Sequence, residues 1–140
     1  MKKFLFLLLF SLCFSISVKA QDAEKDAVRR VVETYLFSEE AAERSKTISG
    51  QAEIFSVNAA NGQIAGKPFR KAKKNTNKII VAVQKIVSID VFRNAAIVKV
   101  ETDLSLRDIK IPKHYHFISL LKEGGEWKIV SLLMPDAAPN

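Results

Sequence analysis

The chain has 140 residues, 48% hydrophobic and 26% charged, with a formal net charge of +7. That balance excludes a disordered tract or a bundle of membrane-spanning helices, and the length suits one domain with a core of its own. The single cysteine, Cys13, excludes an internal disulfide framework and a multi-thiolate metal centre.

Lys2 and Lys3 precede a run from Phe4 to Phe14 that only Ser11 and Cys13 dilute, and Val18-Lys19-Ala20 has the small-x-small form of a cleavage site. The pattern predicts a secretory signal peptide over residues 1–20, too short to span a bilayer as a helix. Leu12 argues against lipidation at Cys13, since a small residue is wanted there, and a retained anchor is the other alternative. The expected mature domain is 21–140, periplasmic or extracellular. Losing Lys2, Lys3 and Lys19 with residues 1–20 leaves 120 residues and a charge of +4.

Val28, Val31, Val32, Tyr35 and Leu36 recur at three- and four-residue spacing and predict an amphipathic helix, with Asp22 as N-cap. A second helix is expected from Ser38 to about Thr47, with Ser38 as cap and Gly50 as its end. From Gln51 the period shortens. Ala52, Ile54 and Val57 predict a strand, with Phe55 on its opposite side. Asn61-Gly62 marks a tight turn and Gln63–Ala65 the return. Gly66-Lys67-Pro68 reads as a break and Phe69–Lys74 as a short helix. Strand-like runs follow over Lys78–Phe92, Ala95–Leu106, Tyr115–Leu121 and Trp127–Leu133. Arg93-Asn94 and Gly124-Gly125 supply turns.

Helices first and long antiparallel strands after them predict an α+β domain, two to three N-terminal helices lying across one face of a curved sheet. A sheet whose outer face is also apolar needs a cover, so association, including a homodimer through the sheet, is one expected class of behaviour.

Three segments resemble a known superfamily, the nuclear transport factor 2-like or SnoaL-like proteins, and within it the putative lumazine-binding branch. They are Ile54-Phe-Ser-Val-Asn-Ala-Ala-Asn-Gly62, Ile86-Val-Ser-Ile-Asp-Val-Phe-Arg-Asn-Ala-Ala-Ile-Val-Lys-Val100 and His116-Phe-Ile-Ser-Leu-Leu-Lys-Glu-Gly-Gly-Glu-Trp-Lys-Ile-Val130. The resemblance spans nearly all of the mature chain and implies a cone around a central pocket. It implies either binding of a small, partly apolar ligand or a non-catalytic interaction module. The alternative within the same fold is a cofactor-free isomerase, dehydratase or cyclase. This chain departs from the pattern at Ser49-Gly50-Gln51-Ala52, where relatives often carry His-Pro-acid-Ala, and at His116, where an Asp is common.

His114 and His116 are the residues best suited to chemistry, because on a strand they share a face. They could serve as acid and base, hold a metal with Glu101 or Asp103 as third ligand, or simply occupy a solvated face. Asp103 could act as a general base, but Lys99 and Glu101 share its face, and an alternating charged face usually meets solvent. The expected pocket residues are Tyr35, Phe55, His116 and Trp127, with Trp127 also packing the sheet against a helix. Lys67, Arg70, Lys71, Lys73, Lys74 and Lys78 form a basic stretch suited to solvent or an anionic surface. No stacking aromatics beyond Phe69 accompany it, so nucleic acid is not expected. No cofactor fingerprint, phosphate loop or catalytic triad order stands out, and neither cofactor nor metal is expected.

Overall fold

The computed structural model describes residues 21–58, 61–69, 80–106 and 109–135. The expected signal peptide at 1–20 lies outside these residues. So do all of the predicted helix Phe69–Lys74 beyond Phe69, and the basic residues Arg70, Lys71, Lys73, Lys74 and Lys78.

The first helix, α1, covers residues 21–37. Its predicted stripe is its buried face: Val28 and Val32 are fully buried, and Ala27, Val31, Tyr35 and Leu36 pack beside them. The second helix, α2, is shorter than expected, Ala41–Lys46. Ser38 does not cap it directly. Glu40 holds the cap position, and its N–H donates to Ser38 Oγ at 3.3 Å while Arg44 donates to the Ser38 carbonyl at 2.7 Å.

Gly50 does not end that helix but lies inside strand β1, Ile48–Val57. The sheet captures the chain early: Ile129 N–H donates to the Thr47 carbonyl at 2.8 Å, and Ile48 pairs with Ile129. The next strands are β2 (Ile64–Pro68), β3 (Ile80–Phe92), β4 (Ala95–Leu106), β5 (Ile109–Glu123) and β6 (Glu126–Pro135). Gly66-Lys67-Pro68, read as a break, is part of β2. Glu53, Ile54 and Phe55 of β1 hold Pro68, Lys67 and Gly66 in register, and a proline is tolerated on an edge strand. The glycine is needed there, because a Cβ at position 66 would stand 2.9 Å from Phe55 Cε1.

The six strands form one sheet in the order β2-β1-β6-β5-β4-β3. All neighbours are antiparallel except β1 and β6, which run parallel. The β5–β6 turn uses Gly124 and Gly125 at φ 59° and 90°, the left-handed pair that a two-residue hairpin requires. Register shifts interrupt β1 against β6, β3 against β4, β4 against β5 and β5 against β6. Such bulges bend and coil a sheet.

The two helices and the curved sheet make an α+β fold. Its core lies on the inner face, where Ile89, Ala96, Val98, Val100, Ile118, Leu120, Trp127, Ile129 and Leu132 meet Val28 and Val32. The outer face is also rich in apolar groups. Val83 is 63% exposed and Ile97 52%, with Val87, Tyr115, Phe117 and Leu121 exposed nearby.

Candidate functional site

The inner face changes character along β4 and β5. Val98, Val100, Ile118 and Leu120 are core, and the next inward positions are Thr102, His116 and His114. Strand register sets these beside one another. Gln84, Thr102 and His114 form one cross-strand row, and Ile86, Val100 and His116 form the next. Thr102 is 4% exposed and His116 6%. Thr102 Oγ1 lies 3.2 Å from His116 Nδ1. Either the hydroxyl donates to a bare nitrogen or a protonated nitrogen donates to the hydroxyl, according to the tautomer. Nδ1 of His114 is the one buried side-chain nitrogen or oxygen among the described residues with no hydrogen-bond partner.

The two histidines therefore do share a face, and it is the buried one. Burial, and secondarily the neighbouring His114, lower the pKa of His116 below its ordinary value. His116 is accordingly neutral at pH 7 and suits an acceptor or donor role better than a cationic one. This depression fixes a pH dependence. The unfolded chain takes up a proton near pH 6.5 and the folded chain only at lower pH, so stability falls as pH drops through and below about 6.5. In urea unfolding between pH 7.5 and 5, wild type should lose stability at up to about 1.4 kcal/mol per pH unit, and His116→Gln should lose less. Equal slopes would show that His116 is not the titrating group. Glu24 and Glu101 do not confuse the test. Their pKa values are lowered, by hydrogen bonds from Lys122 and Lys113 respectively, so their losses begin below about 4.3.

Tyr35 enters from α1. Its ring meets Phe69 edge-on, with centroids 6.0 Å apart and planes at 66°. Phe69 is held by its own N–H, which donates to the Ala52 carbonyl at 2.8 Å. Both rings pack against the core with Ile54 and Ile86. Burial raises the Tyr35 pKa, so the phenol stays protonated. Glu24 binds Lys122 and Trp127 at the opposite end of α1. Eleven residues of helix, about 16 Å, carry Tyr35 away from that turn.

The other expected residues do not join this group. Phe55 is a correction: Ile54 packs on the core, so its neighbour Phe55 projects to the outer face, in register with Leu133, which pairs in turn with Phe117. Trp127 is buried, but at the hairpin-turn end, where its Nε1 donates to Glu24 Oε2 at 2.8 Å. Asp103 and Glu101 lie on the outer side. Asp103 pairs with exposed Val83, and Glu101 accepts from Lys113 at 2.7 Å and from the Tyr115 hydroxyl at 3.1 Å. Neither carboxylate can complete a metal site with the histidines or act with them as acid and base. Among the described residues no cluster of three or more His, Cys, Asp or Glu converges. The sequence missed Thr102 and Gln84, whose roles depend on which face of the sheet is buried.

A separate open groove of about 390 Å³ lies between α1, α2 and the β5–β6 turn, lined by Ala27, Arg30, Val31, Lys46 and Trp127 among others. Two of its lysines are already engaged, Lys46 with Glu43 at 2.7 Å and Lys128 with Glu126 at 2.8 Å. The histidine end is the better candidate, since Gln84, Thr102 and His114 come together there from three strands and Nδ1 of His114 has no partner.

The sequence profile of a family described as putative lumazine-binding matches residues 23–133. No curated protein matches the chain. Among solved structures, an NTF2-like protein of unknown function from Shewanella baltica is similar at TM-score 0.60 and 24% identity, over 79% of this chain and 91% of that one. One from Methylobacillus flagellatus, also NTF2-like and of unknown function, gives 0.57 and 22%, over 81% and 91%. A putative ketosteroid isomerase from Shewanella frigidimarina gives 0.58 and 15%, over 76% and 93%. These likenesses establish the fold.

Proposed function

The chain belongs to the putative lumazine-binding family of the NTF2-like superfamily, and from that premise we propose that it binds a small, partly apolar molecule at the histidine end of its inner face. The observation that carries the reading is the polar group Gln84, Thr102, His114 and His116, set at the margin of an apolar core. A few placed polar groups on an apolar wall are what a small-molecule site needs. The catalytic alternative loses its carboxylate, because Asp103 faces away. We propose further that the protein is exported and acts outside the cytoplasm after cleavage at Ala20.

One experiment tests both proposals. Native protein recovered from the periplasm or medium should carry a bound small molecule in native mass spectrometry, and its denatured mass should begin at Gln21. A mass with no adduct at any protein concentration counts against binding. A full-length mass in the membrane fraction counts against export.

A second reading concerns the outer face, where a homodimer is favoured by a specific observation. Four strands at about 4.8 Å spacing and some ten residues at about 3.3 Å give a face of roughly 600 Å² in projection. Side-chain relief brings that near the ~800 Å² per partner of a specific interface. Lys85, Lys99 and Lys113 are matched there by Asp90, Glu101 and Asp103, so a second copy meets no net charge of its own sign. Wild type should sediment as a dimer at micromolar concentration, and the pair Ile97→Glu with Phe117→Lys should be monomeric with unchanged circular dichroism. A monomeric wild type at high micromolar concentration would end this reading.

A further inference from the structure

Resting on the ligand-binding reading above, we infer that the inner-face site selects an uncharged molecule that presents an N–H or O–H group to Nδ1 of His114. The first support is the chemistry of the lining. Gln84, Thr102, His114, His116 and Ile86 offer amide, hydroxyl, imidazole and apolar surface and, with His116 neutral, no carboxylate, ammonium or guanidinium. The charged side chains of the same stretch of β4 and β5 project to the outer side, where Lys113 and Glu101 satisfy each other. An ion seated on this row would lose its water without gaining a counter-charge from these residues, and an unpaired buried charge is far costlier than an unpaired dipole.

The second support is the unpartnered nitrogen. Of the two histidines, His116 has its Nδ1 occupied by Thr102, whereas Nδ1 of His114 is buried without a partner. A neutral imidazole carries its proton on one nitrogen only. In the Nε2–H tautomer, the commoner one for a neutral imidazole, His114 leaves Nδ1 as a bare acceptor. A buried acceptor left unmade is a standing penalty, and a ligand that donates to it relieves that penalty. A ligand of the same shape without a donor leaves the penalty in place. Discrimination of this kind is large because the site's own polar group is what goes unpaired.

The test uses three matched probes on the whole mature chain at pH 7.5. Indole is flat, uncharged and carries one N–H. Benzofuran has the same outline with a ring oxygen in place of the N–H. Indole-3-carboxylate is the charged counterpart. Calorimetry or ligand-observed NMR should place indole at least tenfold tighter than benzofuran, with the carboxylate weaker than both. The indole advantage should vanish in His114→Leu. As a readout that needs no variant, the ¹⁵N resonance of His114 Nδ1 should move on adding indole and not on adding benzofuran. Equal binding of indole and benzofuran overturns the donor requirement while leaving the pocket reading intact. Tightest binding by the carboxylate overturns the uncharged requirement. Binding of none of the three overturns this inference together with the reading beneath it.

Discussion

Replacing Trp127 with alanine should lower the unfolding free energy by about 3–5 kcal/mol, the range for removing a buried aromatic side chain. The ring is 5% exposed and packs in the main cluster with Val28 and Val32 of α1. It also closes a small polar network. Its Nε1 donates to Glu24 Oε2 at 2.8 Å, Lys122 donates to Glu24 Oε1 at 2.6 Å, and the same Lys122 nitrogen lies 5.6 Å from the ring centre. The substitution therefore opens a cavity and loosens the first turn of α1 from the β5–β6 hairpin. Trp127→Phe should cost less, since it keeps most of the packing and loses the bond to Glu24. Urea unfolding followed by circular dichroism checks both, because Trp127 is the only tryptophan and fluorescence is lost with it. A cost under about 1 kcal/mol for the alanine variant would show that the ring does little for the core.

The second large effect sets two neighbours on β5 against each other. Ile118 is fully buried at the centre of the sheet, and Phe117 beside it points outward. Ile118→Ala should cost about 2–5 kcal/mol. Phe117→Ala should cost under about 1 kcal/mol within a single copy, despite deleting more atoms, because its ring is partly in water already. The comparison is best made in the background of the Ile97→Glu interface change, so that association does not contribute. A larger loss at 117 than at 118 would invert the two faces of the sheet and with them the placement of His114 and His116.

Much of the fold was readable because its signals are local. The α1 stripe declares itself within nine residues, and the β5–β6 hairpin is announced by Gly124-Gly125 between apolar runs. The alternating charges Lys99, Glu101 and Asp103 marked a solvent-side face, and they lie on the outer side. What failed was non-local. Nothing around Gly50 shows that residues near 130 will draw the chain into a parallel strand pair, so the glycine read as a helix stop. Gly66-Lys67-Pro68 read as a break because its strand character comes from its partner β1. Phe55 was misplaced because this sheet is apolar on both faces, so hydrophobicity alone cannot tell inside from outside. The pairing of His114 with His116 followed from a period of two, but their burial, and the part played by Thr102 and Gln84, depended on register and bulges that composition does not encode.

The order β2-β1-β6-β5-β4-β3 has a consequence in time as well as in space. The last strand made is the one that joins the two halves of the sheet. Ile48 waits for Ile129, a separation of 81 residues, before β1 gains its parallel neighbour. Such long loop closure raises contact order and slows folding. While the chain emerges, β3, β4 and β5 can pair as a meander and β1 with β2 as a hairpin, but neither part has a complete core. A chain wired this way stays short of its folded state throughout synthesis and closes only once β6 is available. Truncation just before Glu126 should therefore leave two unjoined pieces rather than a slightly smaller domain.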